Sequence, residues 1–83
     1  MLPTDENTED DNHLEATALL DRGRAYAGLH QFEQAIQDFG EAIRLNPQYA
    51  EAYNNRGFAY ETLGKSTEAE RDFAKAKELG FDP

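Results

Sequence analysis

Apolar and small residues recur at intervals of three and four along most of the chain, which is the spacing of one face of an α-helix. Turn signals separate this pattern into four segments. The second segment ends at Asn46 and Pro47, because asparagine tolerates the left-handed conformation and proline cannot continue a helix. The third spans 49–63, and the fourth begins at Ser66 or Thr67, whose side chains can cap it. No segment alternates with a period of two, so the pattern predicts four helices and no strand.

The start of the first helix is indicated by Asn12 and Glu15, which have the spacing of a capping box. This helix is predicted to end near residues 28–30. The residues before it are acidic, polar and aperiodic, with too little apolar surface to offset the entropy of ordering them. We therefore expect a disordered acidic tail at 1–11 and one helical domain at 12–83. The tail either keeps the chain in solution or acts as an arm that occupies the protein's own groove.

The helical domain contains an internal duplication. Residues 16–49 (repeat 1) align with residues 50–83 (repeat 2) without a gap, and twelve of the 34 positions are identical. Chance similarity between two helical hairpins would not keep both a glycine and the tyrosine three residues later in register. We interpret Gly23 and Gly57 as points of close helix approach, with aromatic rings beside them. The repeat 1 residues that recur in repeat 2 are Ala16, Ala18, Arg22, Gly23, Ala25, Tyr26, Leu29, Ala35, Asp38, Phe39, Ala42 and Leu45.

This pattern resembles the tetratricopeptide repeat, a 34-residue unit with small residues, a tyrosine, a phenylalanine and a proline at set positions. The matching residues are Leu19, Gly23, Tyr26, Ala35, Phe39, Ala42 and Pro47, then Tyr53, Gly57, Tyr60, Ala69, Phe73 and Ala76. The resemblance implies an all-α fold, with two antiparallel helical hairpins stacked as a short right-handed solenoid of four helices. Two departures stand out: Arg22 and Arg56 occupy a position where the family often has leucine, and Phe81 replaces the second proline.

Charge and composition argue against two classes of protein, nucleic-acid binders and membrane-spanning proteins. The formal net charge is −9, and five acidic residues lie in the tail, so the domain has twelve acids against eight bases. The bases are scattered, whereas a nucleic-acid binder gathers them on one face, so we exclude nucleic acid as the main partner. No run approaches the roughly 20 apolar residues of a membrane span. Residues 1–4 lead into acids and not into an apolar signal region, which makes the cytoplasm the expected location.

No candidate catalytic or metal site emerges from the sequence. There is no cysteine, and no nucleophile, base and orienting group can be assembled from the pattern. His13 and His30 have no second ligand three or four residues away, and the separated glycines form no phosphate-binding loop. We therefore predict a non-enzymatic protein that uses no metal and no cofactor.

The resemblance to tetratricopeptide repeats also implies a binding surface, since the first helix of each hairpin lines a concave groove in such proteins. The residues predicted to line a peptide-binding groove are Leu20, Arg24, Glu51, Asn54, Asn55 and Phe58. Phe58 is the most informative of them, because it replaces Arg24 in the duplication and is not required by the repeat core. The alternative is that Phe58 packs on Leu20 and covers the seam between the repeats.

One known binding mode of the family does not fit these residues. Family members that grip the C-terminal carboxylate of heat-shock chaperones use Lys and Asn on the first groove helix, Asn on the second, and Lys and Arg on the third. Only Asn55 matches, because Leu20 and Arg24 stand at the first two positions and a third repeat is lacking. The resemblance therefore does not extend to this carboxylate clamp.

The second repeat is more polar than the first on one face of its second helix. Ile36 becomes Glu70 and Ile43 becomes Lys77, so we expect the C-terminal end to face water and the repeat architecture to end there. The favoured hypothesis is a protein–protein interaction module that binds a peptide segment of a partner. The alternative is a self-associating structural protein, a homodimer through uncovered repeat faces, because three or more repeats are usually needed for stability.

Overall fold

The computed structural model describes residues 8–82 and has four helices. They are α1 (Thr8–Gly28), α2 (Phe32–Leu45), α3 (Ala50–Thr62) and α4 (Ser66–Glu78). Helix α1 packs on α2 and α3 packs on α4, while α2 and α3 form the seam between these two hairpins. Over residues 8–82 there is no strand. The structure thus confirms the predicted all-α stack of two helical hairpins.

Helix α1 begins earlier than the sequence pattern indicated. It starts at Thr8, so Asn12 lies inside the helix and the predicted capping box with Glu15 is wrong. Residues 9–11 are all acidic, and negative charge is favourable near a helix N-terminus, where the backbone dipole is positive. This electrostatic term favours helix in a segment without hydrophobic periodicity. The prediction of disorder is therefore wrong for residues 8–11, and residues 1–7 lie outside the described part of the chain.

Two other predicted helix ends differ in detail. Neither Ser66 nor Thr67 caps α4, because the N-cap position is Lys65 and no side chain there accepts a backbone N–H. Asn46 is extended, with φ −141°, and is not left-handed. Its side-chain oxygen instead accepts a hydrogen bond from the backbone N–H of Gln48 at 3.2 Å, which turns the chain toward α3.

Inside each hairpin, a glycine lies against a phenylalanine ring. A Cβ atom on Gly23 would lie 2.6 Å from Cε1 of Phe39, and one on Gly57 would lie 2.7 Å from Cε1 of Phe73. Real Cβ atoms do not come so close, so any larger residue would force the helices apart. The ring of Phe39 is only 1% exposed and is the largest fully buried side chain among the described residues. Both glycines therefore have the packing role that the duplication predicted.

Three of the helices end in the same backbone motif, with one residue in the left-handed region. This residue is His30 after α1 (φ 62°), Gly64 after α3 (φ 80°) and Gly80 after α4 (φ 99°). The next N–H then bonds back across the turn, from Gln31 to the carbonyl of Tyr26 at 2.9 Å, for example. His30 is the equivalent of Gly64, and a side chain in this conformation costs about 1–2 kcal/mol.

We predict that His30→Gly stabilises the protein by about 0.5 to 1 kcal/mol, because relief of the left-handed strain exceeds the added entropy of the unfolded chain. Urea denaturation followed by circular dichroism measures this change. The matched control is Gly64→Ala, which introduces a side chain at the equivalent turn and should destabilise. The His30 ring lies 5.5 Å from that of Phe32. A loss of stability in His30→Gly would show that this ring contact outweighs the strain.

Candidate functional site

An ion pair ties the two helices of each hairpin together. Arg22 donates from Nε and Nη2 to the two carboxylate oxygens of Asp38, at 2.7 and 2.9 Å. Arg56 makes the same two bonds to Asp72 at the same distances. Both aspartates are buried, so the pairing explains why arginine stands where the related repeats often have leucine. Sequence reasoning missed this pair, although the arginine and the aspartate both recur at a spacing of 34 residues.

The second of these pairs is the more enclosed. Arg56 also lies beside the rings of Tyr53 and Tyr60, with its guanidinium carbon 5.6 and 5.7 Å from the ring centroids. Its hydrogen bonds to Asp72 raise its pKa above the usual range of arginine, against the opposing effect of burial. The guanidinium therefore stays charged at any physiological pH. This contact sets the position of α3 relative to α4 and with it the position of the groove residues on α3.

The concave side, between α1 and α3, has a cavity of about 240 Å³. Three of the predicted groove residues, Arg24, Asn55 and Phe58, meet there. Glu51 is not among the residues that line this cavity, but its carboxylate is 3.8 Å from Nη1 of Arg24. Both side chains are exposed, so water screens this ion pair and it contributes little. The residues that line this groove cavity are Arg24, Ala27, Phe32, Phe39, Asn55, Phe58, Ala59 and Thr62.

A second and larger cavity, of about 550 Å³, lies on α3 and α4 at the C-terminal end of the stack. We call it the end cavity. Asn54 lines this cavity and not the groove cavity, so the structure separates it from Arg24 and Asn55. The lining combines three phenylalanine rings with three charged side chains and one asparagine. It consists of Asn54, Phe58, Glu61, Phe73, Lys77, Phe81 and Asp82.

Phe58 lines both cavities. Its ring packs edge-on against Phe73, with the centroids 5.0 Å apart and the planes at 70°, and its side chain remains 54% exposed. Aromatic pairs favour this tilted arrangement, which fixes the ring at the surface. The ring contact is with Phe73 in its own hairpin. A residue that sealed the seam between the hairpins would be buried, so the exposure of Phe58 argues against the seam-covering alternative.

Leu20 is not an exposed groove residue. It is only 2% exposed and belongs to the hydrophobic core together with Ala52 and Ala59 of α3. The prediction that it lines the groove is wrong, because the second hairpin packs over this position of the first. Its equivalent, Asn54, has no following helix above it in the described chain and is half-buried. The change from leucine to asparagine between the repeats was the sequence signal for this difference.

The remaining residues singled out in the sequence are two charged residues of α4 and the two histidines. Glu70 and Lys77 are both exposed on α4. His13 lies beside the ring of Tyr49, with 6.0 Å between centroids, as His30 lies beside that of Phe32. Among residues 8–82, no three acidic or histidine side chains converge in a way that could hold a metal ion. In the same part of the chain, every helix is too short or too polar to cross a membrane.

Comparison with known proteins identifies related repeats across most of the domain. A family model described as TPR repeat matches residues 23–64, and one described as Tetratricopeptide repeat matches residues 50–80. The heat shock protein STI1 of Saccharomyces cerevisiae is 35% identical over 74 residues, which are 89% of this chain and 12% of that protein.

Two further relatives align over most of this chain. The mitochondrial import receptor subunit TOM70 of Rattus norvegicus is 41% identical over 69 residues, 77% of this chain and 11% of the receptor subunit. The Hsp70-Hsp90 organizing protein of Triticum aestivum is 36% identical over 59 residues, 71% of this chain and 10% of the organizing protein. The chain thus spans about a tenth of the length of these relatives.

Proposed function

Because the chain belongs to the tetratricopeptide repeat family, we propose that it is a protein–protein interaction module whose concave groove binds a peptide segment of a partner protein. The observation that carries this proposal is Phe58, a large aromatic side chain that is more than half exposed beside the groove cavity. Exposed aromatic residues in concave sites are frequent binding hot spots, because they bury much apolar area at little cost in side-chain entropy.

The polar residues of the groove suit an extended peptide backbone. Asn55 can both donate and accept hydrogen bonds, and it lines the same cavity as Phe58. Arg24 adds donors, and its ion pair with Glu51 is exposed and contributes little. A peptide that places an apolar side chain against Phe58 and its backbone against Asn55 satisfies both kinds of group. For a groove this small, we expect affinity in the micromolar range.

The names of the relatives point in the same direction without naming a partner for this chain. One is called an organizing protein of Hsp70 and Hsp90, and another is a subunit of an import receptor. Such names describe proteins that act on other proteins. We do not extend chaperone binding through a C-terminal carboxylate to this chain, since Leu20 is buried where that clamp requires a lysine. The proposed ligand is therefore an internal peptide segment.

The test is a selection of peptides from a random displayed library against the wild-type protein, followed by affinity measurements on the best peptide. We predict that Phe58→Ala weakens binding at least about tenfold, the size expected for the loss of an aromatic hot spot. Asn55→Ala should weaken it about three- to tenfold, through the loss of one hydrogen bond. Fluorescence anisotropy of the labelled peptide gives both values.

The matched control is Leu14→Ala. Leu14 is an exposed apolar residue on the N-terminal half of α1 and lines neither the groove cavity nor the end cavity. Its removal tests whether any loss of exposed apolar surface weakens binding. If peptide binding survives Phe58→Ala but is lost in Leu14→Ala, the groove is not the binding surface and the proposal fails.

A further inference from the structure

The duplication allows contacts between hairpins to be separated from contacts within them. Residues 34 positions apart occupy equivalent places in their own hairpins, so a large difference in the burial of two identical small residues indicates what covers each hairpin. Ala52 and Ala59 of α3 are fully buried. Their equivalents on α1, Ala18 and Ala25, are exposed. Both alanines of α3 are therefore covered by the first hairpin, and the same face of α1 has no such cover from the described chain.

The arginines of the two ion pairs show the same difference. The side chain of Arg56 is 23% exposed and that of Arg22 is 62% exposed, although both make the same bonds to aspartate. Part of the additional burial of Arg56 comes from its own hairpin, where the Tyr53 ring replaces Leu19. Another part comes from α2, since Nη1 of Arg56 lies 3.6 Å from the position of a Cβ on Gly40. We call the surface formed by Ala18, Arg22 and Ala25 the α1 outer face. These residues are identical to Ala52, Arg56 and Ala59, with which α3 packs on the first hairpin.

The opposite end of the molecule has the complementary difference. Phe39 is 1% exposed beneath α3, whereas its equivalent Phe73 is only half-buried and lines the end cavity. Phe58 and Phe81 also line the end cavity. The cavity lies on the second hairpin, at the place equivalent to the surface of the first hairpin that α3 covers. It therefore has the position and the aromatic lining needed to receive a helix like α3.

We propose that the α1 outer face of one copy of this chain docks in the end cavity of a second copy, in the way that α3 packs on the first hairpin. The contact joins two different surfaces, so the copies associate head to tail. This arrangement does not require a peptide in the concave groove. It places a further first helix beside α3 and so lengthens the concave surface.

The charged residues of α4 are compatible with this docking and limit its strength. By equivalence with Arg56 over Gly40, Arg22 of the docked copy lies over Ala74. Glu70 precedes Ala74 by four residues, so its carboxylate lies on the same face of α4 and can pair with the free Nη1 of Arg22. Since Glu70 and Lys77 replace the half-buried Ile36 and Ile43, less apolar area is buried than in the seam between hairpins. The association is therefore weak.

The N-terminal residues of the same copy are too short to fill the end cavity. Residues 1–7 span at most about 25 Å when fully extended. Thr8 precedes Arg24 by 16 residues, which is about 24 Å along α1, and Arg24 lies at the level of Phe58. The end cavity lies on the far side of α3, about two helix widths of 8–10 Å away. The combined path exceeds the reach of residues 1–7, so these residues do not fill the end cavity of their own copy.

Sedimentation equilibrium of the full chain from about 10 µM to 1 mM tests the proposal. We expect the weight-average mass of the wild type to rise from the 9.4 kDa monomer toward and beyond the dimer. Ala25→Glu damages the α1 outer face, and Ala74→Arg places a long side chain of like charge where Arg22 of the docked copy lies, so each variant alone should remain monomeric. An equimolar mixture should form dimers but no larger species, because it retains one intact copy of each surface. Gln37→Glu, on the exposed side of α2, controls for the added negative charge.

Three outcomes would overturn the proposal. The first is a wild type that stays at 9.4 kDa over the whole range. The second is a mixture of Ala25→Glu and Ala74→Arg that stays monomeric although both variants retain wild-type circular dichroism. The third is association that survives both substitutions, which would place the contact elsewhere. None of these results bears on peptide binding in the groove, so failure here is distinguishable from failure of the proposed function.

Discussion

Phe39→Ala should lower the free energy of unfolding by about 3–5 kcal/mol, the usual cost of removing a fully buried phenylalanine. The ring is 1% exposed and lies against Gly23. Glycine has no side chain, so nothing at position 23 can fill the space that the ring would leave. A chain of 83 residues has a total stability of about 4–12 kcal/mol, at 0.05–0.15 kcal/mol per residue. The substitution therefore removes a large part of the stability. Urea denaturation followed by circular dichroism measures the loss.

The duplication supplies a matched control for this experiment. Phe73→Ala removes the equivalent ring beside Gly57, but Phe73 is only half-buried because no further helix of the described chain covers it. Less apolar area returns to water on unfolding, so the loss should be about half as large. Equal losses in the two variants would contradict the burial pattern that separates the two hairpins.

Arg56→Ala should also be strongly destabilising, by about 3–5 kcal/mol, because it leaves the carboxylate of Asp72 buried without its partner. The side chain of Asp72 is mostly enclosed, and both of its oxygens accept hydrogen bonds from this one arginine. Removal of the guanidinium also removes its packing beside Tyr53 and Tyr60. Chemical denaturation of the purified variant gives the value.

Two further variants test the cause of this loss. In Arg56→Met with Asp72→Leu, no charge is left buried, so much of the stability should return. Arg22→Ala should cost less than Arg56→Ala, since Arg22 is 62% exposed and water can enter beside Asp38 when the arginine is removed. If the double variant is no more stable than Arg56→Ala alone, the loss comes from packing and not from the unpaired carboxylate.

The features predicted correctly from the sequence are those in which each repeat confirms the other. The same glycine and phenylalanine occur in both repeats, as Gly23 with Phe39 and as Gly57 with Phe73. A small and a large residue that recur together on two packed helices are expected to contact each other. The Arg22–Asp38 ion pair belongs to the same class. Both of its residues recur, and the pairing could have been inferred from that recurrence with the helical hairpin already predicted.

The features that were missed depend on the surroundings of a repeat, which periodicity within the repeat does not contain. Leu20 lies on the first helix of its hairpin, as the groove residues do, but the second hairpin covers it. Whether a position faces the groove or the seam depends on the angle between hairpins. The early start of α1 at Thr8 is a different case, since it depends on the charge of residues 9–11 and not on any apolar pattern.

If a peptide binds in the groove and a second copy docks in the end cavity, as proposed above, the position of Phe58 between the two cavities links the two binding events. One ring forms part of the wall of both, and its edge-on contact with Phe73 gives it a defined resting orientation. A ligand that rotates this ring in either cavity changes the shape of the other. Linkage is reciprocal, so a peptide that alters the affinity at the end of the stack by some factor has its own affinity altered by the same factor when that end is occupied. Under both proposals, a single aromatic side chain would couple what is bound at one surface of this small domain to the affinity of the other.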